Sequence, residues 1–255
     1  FNHNIQTLRI VTSLENKYYK FLGLNLTIET LDGLLKHNGP IKNADPYKNI
    51  LGKSFFNKKL DLTSWPSLEA QISSISDDIA YNNHDLEDGL RAKLFTIEDL
   101  SSISYISELI EKHRKHLKSF RKEIIINQIV RDLINLMVTD VIKTTKKNLK
   151  KIGPKSINDI YKNNKEIVHF SQKIKEFDNQ VKDFLSKKMY NNKKVLVNTN
   201  KGKLITRDLF KYLLNNVKKY ISNELLKNEK KERLIADFIA GMTDRYAINL
   251  YNEIK

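Results

Sequence analysis

Between residues 66 and 90 the apolar side chains Leu68, Ile72, Ile75, Ile79, Leu86 and Leu90 recur at helical spacing. At about 100° per residue they fall on one narrow stripe, which predicts an amphipathic helix with that stripe as its core face. Asp77, Tyr81, Asp85 and Asp88 follow one another at steps of four, four and three on the opposite side, and the small residues Ala70 and Ser74 extend that row. The same period predicts helices over 4–22, 97–111, 124–149, 157–188, 206–226 and 230–254. Another starts after Thr27, which can cap it, buries Ile28, Leu31, Leu34 and Leu35, and stops at Asn38-Gly39-Pro40.

Residues 41–64 read as a loop, and 191–203 and 227–231 as exposed joins. The only short run with strand character is Lys193–Thr199. Glycine (8) and proline (4) are scarce among 255 residues. An all-α fold follows, a multi-helix bundle with a C-terminal helical lobe. Gly153-Pro154 is the natural break, giving regions 1–152 and 153–255.

The chain has no cysteine, which excludes disulfides and thiolate metal sites and makes a reducing cytoplasm the expected compartment. No apolar run approaches the roughly 20 residues that span a bilayer, so no membrane partner is expected. The formal net charge is +15. Such a balance suits nucleic acid, nucleotide phosphates or anionic lipid without choosing among them. No Gly-rich phosphate loop occurs, and basic residues scattered over helices point to non-specific phosphate contacts.

Against that background the acids of "SDDIAYNNHDLEDG" are unexpected. Like charges at i,i+4 repel by a few tenths of a kcal/mol. Three explanations stand: a solvated helix face, a metal site, or a wall for a polyhydroxyl substrate. His113 and His116 in "HRKH" have ligand-like spacing, but flanking bases favour a solvated helix. His3, His37 and His169 form no constellation in the sequence. Arg121 and Arg131 read as surface residues, Trp65 as a packing anchor, and Asp244, Arg245 and Tyr246 as a structural trio forming a buried ion pair or subunit contact.

Four stretches carry a resemblance. They are "FNHNIQTLRIVTSLE", "GLNLTIETLDGLLKHNGP", "SLEAQISSISDDIAYNNHDLEDGLRA" and "DFIAGMTDRYAI". In this order they resemble the motifs of deoxyguanosinetriphosphate triphosphohydrolase-like proteins of the HD phosphohydrolase superfamily. The resemblance implies hydrolysis of a deoxynucleoside triphosphate to deoxynucleoside and tripolyphosphate. It implies a divalent ion, Mg²⁺, Mn²⁺ or similar, with Asp77 as one ligand. Tyr81 would lie beside the sugar, Asp85 would accept a hydrogen bond from the 3′-hydroxyl, and Lys36 and Asn4 would contact the phosphates. A homo-oligomer is expected.

The family's remaining ligands and its catalytic His and Glu lie upstream of the "FNHN" motif, where this chain begins. The sequence is therefore expected to hold no catalytic residue of its own, to correspond to the C-terminal two-thirds of such an enzyme, and to be inactive alone. His84-Asp85 spells the HD dipeptide but belongs to the sugar row. Two other readings remain open: a basic helical module for single-stranded nucleic acid, and a catalytically dead remnant that binds nucleotide or oligomerises.

Overall fold

The structure, a computed structural model, describes residues 3–43, 45, 47, 61–113, 116 and 121–255. The middle of the predicted 41–64 loop and most of the basic run after His113 lie outside the described residues. Among the described residues every regular element is helical, as the periodicity predicts. Contacts divide the chain into two units, Phe1–Leu185 and Ser186–Lys255. That division falls later than Gly153-Pro154, which only ends a helix inside the first unit.

The first unit opens with α1 (His3–Arg9), continued by a wide turn at Ile10–Leu14. The predicted helix to residue 22 stops there. Thr12 Oγ1 donates to the Leu8 carbonyl at 2.6 Å and Ser13 Oγ to the Arg9 carbonyl at 2.9 Å. Such back-bonding competes with the helical ladder. α2 (Ile28–Leu35) starts at Thr27, whose hydroxyl accepts from the Thr30 amide. Leu8, Leu31, Leu35, Tyr47 and Leu62 form one apolar cluster, whereas Ile28 is surface-exposed.

α3 (Leu68–Arg91) is one unbroken helix capped by Ser67. It packs along α5 (Lys122–Ile152), with α4 (Ser104–His113) alongside. Only the second half of its predicted stripe is buried. Ile79, Leu86 and Leu90 are inside, but Ile72 is 48% exposed. In the first half Gln71 takes the buried place. α2 crosses α3 closely, since a Cβ on Gly33 would stand 2.9 Å from the Ala70 Cβ.

The predicted helix 157–188 is instead α6 (Ile157–Tyr161), an irregular non-helical stretch, and α7 (Gln172–Leu185). The stretch buries Ile167, Val168 and Phe170, and its backbone is satisfied by side chains of other helices. Gln71 Oε1 accepts from the amides of Ile167 and Val168 at 2.9 and 3.1 Å. Asn148 donates to the Ile167 carbonyl and Asp140 accepts from the Ser171 amide. Buried backbone polar groups need such partners, and helical periodicity cannot reveal them.

The second unit is built on α8 (Lys193–Asn215). Lys193–Thr199, the strand candidate, is its first two turns. Asn192 caps it by accepting from the Lys194 amide at 3.0 Å, and the predicted join 191–203 is thus mostly helix. Ile205, Leu209 and Leu213 form the buried stripe. Short α9 (Val217–Tyr220) and α10 (Asn223–Asn228) replace the rest of the predicted 206–226 helix. α11 (Lys231–Ala240) and α12 (Asp244–Glu253) pack on α8, separated where Thr243 caps α12. Asp244, Arg245 and Tyr246 are exposed at the start of α12, so they form no buried ion pair.

Candidate functional site

The acidic row exists as a geometric feature because α3 is continuous through it. Asp77 and Tyr81 are exposed, Tyr81 to 64%, and Asp85 is half-buried. At 1.5 Å rise per residue the row from Asp77 to Asp85 is about 12 Å long. The flank of α3 is tied down by a polar network. Buried Asn82 donates to Asp178 Oδ1 at 2.6 Å, and Lys182 Nζ reaches Asp178 Oδ2 at 2.9 Å and Asp78 Oδ2 at 3.4 Å. Asn83 donates to the Ile79 carbonyl and to Met137 Sδ. The row thus stands on a helix held in place by α7 and α5. Sequence reading missed this network because Asn82 and Asn83 pass for members of a polar face.

Lys36, expected from the resemblance to contact the phosphates, is 2% exposed at the C-terminal end of α2. Its ammonium lies 2.8 Å from Asp32 Oδ1 and 3.1 Å from Oδ2, and donates to Ser64 Oγ at 3.0 Å. Oδ1 forms the ion pair but no well-directed hydrogen bond, and it is otherwise without a partner. Burial pushes the Asp32 carboxyl up, against the pull of Lys36. The pair forms one wall of a cleft of about 620 Å³ with Asp61, Thr63, Tyr161 and Lys162. Hydrogen bonds from Thr63 hold Asp61 below the usual carboxylate range. Neither Asp77 nor Tyr81 lines this cleft. Asn4, the other expected phosphate contact, is buried in α1.

The residue that does come to the row is His37. Its Nε2 is 3.9 Å from Asp77 Oδ2. His37 also lines a second cleft of about 510 Å³ between α2 and α3, with Thr30, Ala70, Ser73 and Tyr161. Only the tertiary crossing of α2 on α3 makes this pair, forty positions apart in sequence. His84 lies exposed beside Glu87. His113, read as solvated, is buried, and its Nε2 is 3.0 Å from Asp132 Oδ2. Arg121 and Arg131 are on the surface as expected. Trp65 packs over Gly39.

Among the described residues no three His, Asp or Glu side chains converge to hold a metal ion. The residues present therefore do not fit a fully held divalent ion. Asp77 offers one accessible carboxylate. Among the described residues no helix is long and apolar enough to cross a membrane.

The helical unit that presents the acid–tyrosine–acid row is followed in sequence by a second helical unit. The family described as the phosphohydrolase-associated domain matches residues 168–253. Relatives named deoxyguanosinetriphosphate triphosphohydrolase-like protein align along the whole chain. That of Pelagibacter ubique is 53% identical over 98% of this chain and 67% of its own length. Those of Bartonella henselae and Rickettsia typhi are 41% and 39% identical over 100% of this chain, covering 66% and 67% of theirs. The chain belongs to the deoxyguanosinetriphosphate triphosphohydrolase-like family, and it spans about two thirds of the length of these relatives.

Proposed function

We propose that this chain forms the sugar-and-phosphate wall of a deoxynucleoside triphosphate triphosphohydrolase. One observation carries the reading: Asp77, Tyr81 and Asp85 share one face of a helix whose flank is locked by Asn82 and Asp178. A solvated face needs no such anchorage. In this reading the Tyr81 ring lies against C2′ and leaves no room for a ribose hydroxyl. Asp85 accepts a hydrogen bond from the 3′-hydroxyl. Asp77 is one ligand of a divalent ion whose other ligands come from outside residues 1–255, so this stretch alone does not turn over substrate. The enzyme works in the cytoplasm as a homo-oligomer.

The test is a titration of the enzyme in its natural length with dGTP and GTP. The deoxynucleotide binds more tightly, and Asp85→Ala weakens it by about 1–3 kcal/mol through loss of a charge-assisted hydrogen bond. Equal affinity for the two nucleotides overturns the assignment.

A second activity is favoured by α8, whose exposed residues include Lys193, Lys194, Lys201 and Lys203. It provides non-specific, salt-sensitive contacts to single-stranded nucleic acid.

A further inference from the structure

We propose that the cleft between α3 and α5, beside the acidic row, holds the nucleobase of the substrate, and that Glu87 and Arg131 make it select guanine. This rests on the triphosphohydrolase reading above and adds the base to it.

The cleft has a volume of about 580 Å³, and His84 joins it to the row. His84 stands three residues after Tyr81, about 60° round the helix and about 4.5 Å further along. A sugar seated on Tyr81 and Asp85 carries its base over a distance of this order. A ligand that leaves the row over His84 therefore enters the cleft. The imidazole side chain is 64% exposed and offers a flat face on which a base can stack.

The floor is apolar. Val130, Ile134 and Val138 follow one another at steps of four along α5 and all line the cleft. Val138 is left 39% exposed there. An apolar floor with a few fixed polar groups at its edge is the ordinary make-up of a site for a flat ring.

The polar edge is held in place. Glu87 Oε1 accepts from Arg91 Nε at 2.9 Å and lies 2.7 Å from Arg91 Nη2. The same Nη2 donates to Asn127 Oδ1 at 2.7 Å, which ties the pair across to α5. Glu87 Oε2 is 3.8 Å from His84 Nδ1, too far for a hydrogen bond, and so keeps its capacity to accept. Arg131 stands exposed on the α5 side of the cleft.

This pairing discriminates among the bases. Guanine carries two adjacent donors, N1–H and the 2-amino group, which a carboxylate accepts. Its O6 and N7 accept from a guanidinium. Adenine turns the N1 lone pair to a carboxylate in the same place, and a buried or half-buried acceptor facing another acceptor is penalised. Cytosine does the same with N3, and thymine has a single donor flanked by two acceptors.

The experiment supplies the enzyme in its natural length with dGTP and dATP together and takes the ratio of their kcat/KM values from the two deoxynucleosides released. The unaltered enzyme should favour dGTP at least tenfold. Glu87→Ala should lower that ratio about tenfold, the scale of one hydrogen bond to a charged group. Arg131→Ala, on an exposed side chain, should lower it several-fold. A ratio near one in the unaltered enzyme overturns the proposal and leaves the triphosphohydrolase reading standing. So does a preference for dGTP that neither substitution changes. Equal losses for both substrates in Glu87→Ala, at constant ratio, show a structural role and also overturn it. If the unaltered enzyme hydrolyses neither nucleotide, the underlying reading fails and takes this proposal with it.

Discussion

Helices α3 and α8 are near mirror images in charge. α3 has 24 residues with six acids and one base, and α8 has 23 residues with six bases and one acid. They differ in how the charge is held. α3 is crossed by α2, packed along α5 and bonded through Asn82 to Asp178, so its acids stand at fixed places. The first ten residues of α8 are almost wholly exposed, with Leu196 and Val197 among its lysines. Charge can select a ligand's shape only where the backbone beneath it is immobilised. Elsewhere it offers attraction without discrimination.

The largest effect should come from cutting the anchorage of α3. Asp178→Ala strands the buried Asn82 amide and removes the nearer of the two carboxylates on Lys182, and should lower the unfolding free energy by about 3 kcal/mol. Lys203→Ala on α8 should stay within about 0.5 kcal/mol of the parent. Urea denaturation of both variants measures this, and equal losses would erase the distinction between the helices.

One substitution should act with opposite signs in the two regions. Gly33→Ala forces a methyl against Ala70, and should destabilise by about 1–3 kcal/mol. Gly202, in the exposed part of α8, has nothing within 4 Å of a new Cβ. Gly202→Ala should stabilise by up to about 1 kcal/mol through helix propensity. Thermal melts that move in the same direction for both would show that the crossing at Gly33 is looser than described.

The unselective character of α8 can be read from salt. If its lysines meet phosphate backbone, replacing Lys193, Lys201 and Lys203 by Ala should reduce the salt slope of single-stranded DNA binding by about 2, at about 0.7 per contact. Fluorescence anisotropy at several salt concentrations checks it. An unchanged slope places the contacts elsewhere.

The smallest effect concerns the tie between α4 and α5. Burial alone would raise the Asp132 carboxyl, but hydrogen bonds from Lys112 and His113 outweigh it and hold the group below the ordinary carboxylate value. A depressed carboxylate contributes stability above its unfolded pKa, and that contribution is lost as pH falls through the folded one. Asp132→Asn should therefore flatten the loss of stability below about pH 4. Identical acid unfolding curves for parent and variant would show that the tie contributes nothing.

Where the hydrophobic period ran long and the caps were strong, the helices were legible. Thr27 and Gly153 mark boundaries that the structure keeps. The period failed at 157–188, where the apolar residues Ile167, Val168 and Phe170 are buried in irregular chain, and at 193–199, where β-branched residues are helical. Local pattern does not say whether a buried backbone will find its partners along the chain or on Gln71 and Asp140.

The same division runs through the candidate site. The sequence alone determined the all-α class, the outward row of Asp77, Tyr81 and Asp85, and the family, because helical spacing and motif order are properties of one continuous stretch. The tertiary structure decided that Lys36 is spent on Asp32, that Asn82 serves as an anchor, and that His37 comes to Asp77. Each depends on which residues of two crossing helices meet, and a one-dimensional pattern fixes the faces of helices but not the crossing.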